Sequence, residues 1–181
     1  MENILYPSIG NIYNYINREV FDSAYDGENP FIELGFWPGG DRDGNPFVNG
    51  PTTLKVADAL RSAIVVCYYR DIRKLKRRLT FTGVDTIIAR LEQQLYQNVF
   101  LPEQRKRISK EELLHELYQA RNLLMEHHHS LFLNRLDSLI HKVKIFGTHF
   151  ASLDIRQDSR IHTAVLLQIN QELIAAGEAP I

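Results

Sequence analysis

The sequence holds little sulfur and no excess of either charge. A single cysteine, Cys67, stands among 181 residues, with two methionines and one tryptophan. One cysteine cannot close a disulfide within the chain. Cys67 lies in the apolar run "SAIVVCYYR", where a thiol behaves as a small core side chain. Lys and Arg number 21 against 22 Asp and Glu, a formal net charge of -1. A dedicated nucleic-acid binder needs surplus cations to neutralise phosphates, and this chain has none to spare. No apolar run reaches the roughly 20 residues that cross a bilayer, and no signal-like segment precedes the first polar residues. The expected compartment is therefore the cytoplasm, with no membrane and no nucleic acid as partners. Internal repeats and low-complexity tracts are also missing.

What is present is apolar periodicity. Apolar residues make up 44% of a chain of single-domain length, enough for a substantial core. Ile9, Ile12, Tyr13, Ile16, Val20 and Phe21 recur at helical spacing over residues 8–24. "DGENP" at 26–30 breaks that pattern. "FIELGFW", rich in aromatic and branched residues, predicts a strand over 31–37. A long helix is expected over 52–79, with Leu60, Ile64, Cys67, Tyr68, Ile72 and Leu75 on its apolar face. Its other face is basic from Arg70 to Arg78. Such a run fits a solvated helix end, with an anion-binding patch as the alternative.

Further helices are expected over 84–99, 109–126 and 131–146. Ser109 and Glu112 have the spacing of a capping box, and Gly147 is placed to stop the helix before it. "THFASLDI" predicts a second strand over 148–155, and a last helix over 160–176 ends at Gly177. The fold class is mainly α with two short strands. Strands about 110 residues apart in sequence, joined by helices, are expected to be parallel. Two strands cannot close a barrel. The 181 residues are thus expected to form one fragment domain of a larger helix-rich α/β barrel or sheet.

Each predicted strand ends in a polar knot. The first is "GFWPGGDRDGNPFV", residues 35–48, which gathers Asp41, Arg42, Asp43 and Asn45. A calcium loop needs oxygen ligands at positions 1, 3 and 5, a glycine at 6 and a glutamate at 12. Counted from Asp41, Pro46 falls at 6 and Thr52 at 12, so the sharp turn and the bidentate ligand both fail. Gly39, Gly40, Asn45 and Pro46 are turn residues. They leave the charged triplet unexplained. The second knot, "LDIRQDS", places Asp154, Arg156, Gln157 and Asp158 at the end of an apolar run. In α/β folds, ligands bind at the carboxyl ends of parallel strands. If the strands are neighbours, both knots share one rim. Arg156 then either forks onto a phosphate or carboxylate or forms an internal salt bridge with Asp41, Asp43 or Asp154. The run of His127, His128 and His129 has the wrong spacing for one zinc ion, because consecutive helical residues diverge by about 100°. It fits a solvated helix end. His149 and His162 flank the second strand, where structural roles are expected.

"FWPGGDRDGNP" followed, after a helical insertion, by "FGTHFASLDIRQDSRIHTAVL" resembles phosphoenolpyruvate carboxylase. Residues 39–46 match that family's first block without a gap, and residues 154–159 match its second except that Asp158 stands for the usual glutamate. His162 also falls in place. The resemblance implies a fragment of a TIM-type barrel in which the two strands are neighbours. It implies the carboxylation of phosphoenolpyruvate by bicarbonate to oxaloacetate and phosphate, with Mg2+ or Mn2+ as cofactor. It implies that Arg156 faces the substrate's phosphate, with Asp41, Arg42, Asp43, Asn45, Asp154 and Gln157 at the active-site rim. It further implies that the catalytic histidine, in a His-Pro-Thr-Glu motif, and the metal ligands lie outside these residues. The expected partners are the remainder of the barrel and further copies, as a tetramer. The isolated chain is expected to be inactive. The alternative is a stand-alone helical interaction or regulatory module, which leaves the two knots without a purpose.

Overall fold

The structure, a computed structural model, describes residues 1–21, 32–43, 45–101 and 107–181. The expected break at 26–30, the start of the first strand at Phe31, Gly44 and Pro102 lie outside the described residues. Among the described residues six helices and two strands follow in the order α1 (Leu5–Phe21), β1 (Gly35–Phe36), α2 (Gly50–Lys76), α3 (Val84–Phe100), α4 (Lys110–His127), α5 (Leu133–Phe146), β2 (Ser152–Leu153) and α6 (Ser159–Ala175). No helix among the described residues is long and apolar enough to cross a membrane.

The chain divides into two compact units. The first comprises Met1–Leu34 and Ala59–Ala151, the second Gly35–Asp58 and Ser152–Ile181. The first is a helical core. α4 packs against both α3 and α5, and α5 against α1. Leu113, Leu117, Ala120 and Leu124 are fully buried along α4, at the three- and four-residue spacing that puts them on one face. Ile64, Cys67, Tyr68 and Ile72 do the same along α2. Burial pushes the Cys67 thiol up to about 11, as expected of a core cysteine. Tyr68 is buried too, and its hydroxyl donates to the Gly147 carbonyl at 2.7 Å.

Local signals in the sequence act as expected at several boundaries. Ser109 Oγ accepts from the Glu112 amide while Glu112 accepts from the Ser109 amide, completing the capping box of α4. Gly147 ends α5 with φ at 53°. In α1 the buried stripe is Tyr6, Ile9, Tyr13 and Asn17. Ile12 and Val20 face outward, so the stripe lies to one side of the expected one. The basic face of α2 is laced with ion pairs: Arg70 to Glu2, Lys74 to Asp71, and both Arg73 and Lys76 to Glu92.

The second unit holds the two strands, paired in parallel with Gly35 opposite Ser152 and Phe36 opposite Leu153. Both are shorter than the apolar runs predict. Phe150 interrupts the second run at its start, with φ at 65° and its ring buried against Phe146 at 5.2 Å between centroids. A residue in the left-handed region cannot continue a strand, so pairing begins only at Ser152.

Candidate functional site

The rim begins where the parallel pair ends. Asp154 N donates to the Phe36 carbonyl at 2.9 Å. Beyond it, Arg156 N donates to the Gly40 carbonyl at 3.0 Å and Arg42 N donates to the Arg156 carbonyl at 2.9 Å, forming an isolated parallel bridge between Asp41 and Arg156. From Phe36 to Asp41 the first strand uses five residues where the second uses three from Leu153 to Arg156. The surplus is taken up by a turn in which the Gly40 and Asp41 amides both donate to the Trp37 carbonyl.

That turn explains the paired glycines. Gly39 has φ at 82°, a conformation that side chains strain. Gly40 is buried, and a Cβ there would overlap the Asp154 carbonyl oxygen. The two knots are thus joined through backbone, as expected of strands that share a rim.

The side chains of the rim divide into two groups. Arg156 and Asp154 form one: Asp154 Oδ2 lies 2.9 Å from both Nε and Nη2 of Arg156. The pair is open to solvent, with the Arg156 side chain 59% exposed and the Asp154 side chain 51%. Of the three carboxylates weighed as its partner, the described structure gives Arg156 a salt bridge to Asp154. The contact uses the Nε and Nη2 edge of the guanidinium fork and does not involve Nη1.

Arg42 belongs to the other group. Its Nη2 donates to Thr53 Oγ1 at 3.0 Å, and Thr53 donates to the Gly39 carbonyl at 2.8 Å. Arg42 Nε is buried and meets no acceptor among the described residues. Asp41 is half-buried and Asp43 exposed. Asn45 Oδ1 accepts from the Phe47 amide at 3.0 Å, a local turn contact rather than a site contact. Gln157 folds back in the same way, its Oε1 accepting from the Asp158 amide at 3.2 Å.

A helix starts behind each knot. Asn49 Oδ1 accepts from the Thr52 amide at 3.0 Å as α2 begins. Asp158 caps α6, accepting from the Arg160 amide at 2.8 Å and from its guanidinium. The Arg160 guanidinium holds the Asp158 carboxyl below its ordinary value. Aspartate is among the favoured N-cap residues because its side-chain oxygen accepts from a free amide in the first turn.

Neither Thr53 nor Asn49 was singled out in the sequence. Asn49 carried a legible signal, since an Asn shortly before a helical pattern is a candidate cap. Thr53 carried none, because its partners at 39 and 42 come together only through the turn. Of the histidines, His128 stacks on Phe81 at 4.9 Å between centroids and meets the Thr82 carbonyl, so it belongs to the packing of the helix end. His149 and His162 are exposed. Among the described residues no three His, Cys, Asp or Glu side chains are grouped to hold a metal ion.

Both knots lie within the residues that match a known family. The family model described as phosphoenolpyruvate carboxylase matches residues 1–98 and 86–178. The phosphoenolpyruvate carboxylase of Gloeobacter violaceus is 27% identical over 192 residues, covering 79% of this chain and 20% of the relative. That of Haemophilus influenzae is 26% identical over 203 residues, covering 94% and 23%. That of Aeromonas hydrophila is 29% identical over 168 residues, covering 78% and 19%. The chain spans about a fifth of the length of these curated relatives. With the family model matched along nearly the whole chain, and its two motifs bonded to each other at one strand end, the chain belongs to the phosphoenolpyruvate carboxylase family.

Proposed function

We propose that this chain supplies one sector of the active-site rim of a phosphoenolpyruvate carboxylase, in a TIM-type barrel that other segments complete. The observation that carries the proposal is the bridge between Asp41 and Arg156. It brings the two motifs of the family to the carboxyl end of a parallel strand pair, where α/β enzymes bind their substrates.

The reaction divides into steps whose charges fit this rim. Bicarbonate attacks the phosphorus of phosphoenolpyruvate, the ester bond breaks, and carboxyphosphate and the pyruvate enolate result. Carboxyphosphate then releases carbon dioxide and phosphate, and C3 of the enolate attacks the carbon dioxide to give oxaloacetate. Arg156 is held by Asp154 along one edge and offers its outer N–H groups to the migrating phosphoryl oxygens. A guanidinium fixed before the reaction stabilises developing charge without reorganising. Arg42, anchored by Thr53, supports the turn from which that strand end projects. The divalent metal ion that the family uses would supply charge stabilisation from ligands outside the described residues, which hold no group of three His, Cys, Asp or Glu side chains. The acid–base histidine and the metal ligands are placed in other segments, and the working enzyme is placed in the cytoplasm as a tetramer.

The test is a coupled assay for bicarbonate-dependent oxaloacetate formation. The expected result is turnover by a polypeptide that carries this segment within a complete barrel and none by the 181 residues alone. Metal-dependent turnover by the isolated chain would overturn the assignment of the missing groups. Absence of turnover in the complete polypeptide would overturn the proposed activity.

A further inference from the structure

The helical unit carries a second charged site, remote in sequence from both motifs. Asp71, Lys74 and Leu75 on α2 and Asn134, Arg135, Ser138, Leu139 and Lys142 on α5 line a cleft of about 220 Å³. The lining holds three cations, Lys74, Arg135 and Lys142, and one carboxylate, Asp71. Asp71 accepts from Tyr6 Oη at 3.0 Å and Lys142 Nζ at 2.9 Å on Oδ2, and from Lys74 Nζ at 2.9 Å on Oδ1. Neutralising that carboxylate takes one positive charge, so a surplus of two remains on the cleft.

The surplus is held in place. The Lys142 side chain is only 14% exposed. Its ammonium lies 4.6 Å from the centroid of the Tyr6 ring, and its stem passes so close to Gly10 that a Cβ there would meet Cε at 2.6 Å. Ser138 Oγ accepts from Asn14 Nδ2 at 2.9 Å, which leaves the hydroxyl hydrogen to donate elsewhere. A half-buried lysine with its stem clamped and a hydroxyl donor are fixed before a ligand arrives, which reduces the entropy lost on binding, and two exposed cations stand beside them.

We infer that the cleft between α2 and α5 binds a small dianion, either a phosphate group or a pair of carboxylates. Lys142 and Ser138 contact the buried oxygens, and Lys74 and Arg135 close over the outer ones.

Isothermal titration calorimetry of the chain with inorganic phosphate and, separately, with succinate, each at constant ionic strength set with chloride, tests the inference. Saturable binding of one of the two is expected, and which one binds names the ligand class. Lys74→Gln and Arg135→Gln alter exposed side chains and leave the fold intact, as circular dichroism will verify. Each is expected to weaken binding about tenfold, the loss of one charge-assisted hydrogen bond. Lys55→Gln, an exposed cation outside the cleft, is expected to change nothing. Binding of neither anion, or binding that survives the double substitution, would overturn the site.

Discussion

Gly40 shows how much a single residue at the rim is asked to do. Its backbone accepts the Arg156 amide while its missing side chain makes room for the Asp154 carbonyl. Gly40→Ala is therefore expected to force the two strand ends apart, at a cost of about 1–3 kcal/mol typical of overpacking. Urea unfolding followed by tryptophan fluorescence reads this, since Trp37 opens the same turn. Asp71 is sensitive in another way. Burial raises its carboxyl pKa, but the Lys142 and Lys74 ammoniums outweigh burial and hold it below the ordinary 3.8. A carboxyl with a depressed folded-state pKa contributes stability that is complete above its unfolded pKa of about 4 and is lost as pH falls through the folded value. Stability is expected to decline below about pH 4 in the wild type, and Asp71→Asn is expected to lower stability at neutral pH while flattening that decline. Denaturant titrations between pH 3 and 7 decide it. The charged residues of the rim were legible in the sequence because their types are unusual at strand ends. Which carboxylate pairs with Arg156 was not, because Asp41, Asp43 and Asp154 all lie within reach until the register is known.

At the scale of elements, the helices were legible and the strands only half so. Helix periodicity repeats over four or more turns, and each start or stop has its own chemistry, as in the cap at Ser109 and the stop at Gly147. Ser109→Ala removes an acceptor from the first turn of α4 and is expected to lower stability by about 1 kcal/mol. Glu112→Ala should lose less, since it leaves the Ser109 acceptor on the first turn in place. Thermal unfolding of the two variants checks the order. The strands read longer than they are because apolar alternation reports a capacity to pair, whereas pairing requires a partner and a compatible backbone. Phe150, with its positive φ and buried ring, spends its apolar character on the helical core instead. Nothing in the letters FAS distinguishes that from strand.

At the scale of the whole molecule, α6 is an apolar helix that the described residues leave uncovered. None of its 17 residues is buried, and Ile161, Val165, Leu166, Leu167 and Ile174 are each at least 47% exposed. A helix this apolar is stable in water only when another surface covers it. The isolated chain is expected to self-associate, and sedimentation equilibrium should show a mass that rises with concentration. Leu166→Lys with Val165→Glu should reduce that rise. The central claim concerns the other end of this unit, where Arg156 either serves the reaction or merely holds Asp154. Arg156→Lys keeps the charge and loses the fork. Steady-state kinetics and melting temperature of that variant in the complete enzyme separate the two roles. The account predicts turnover reduced on the order of a hundredfold, as for loss of one donor to developing charge, with the melting temperature unchanged. Near-normal kinetics with a lowered melting temperature would contradict it.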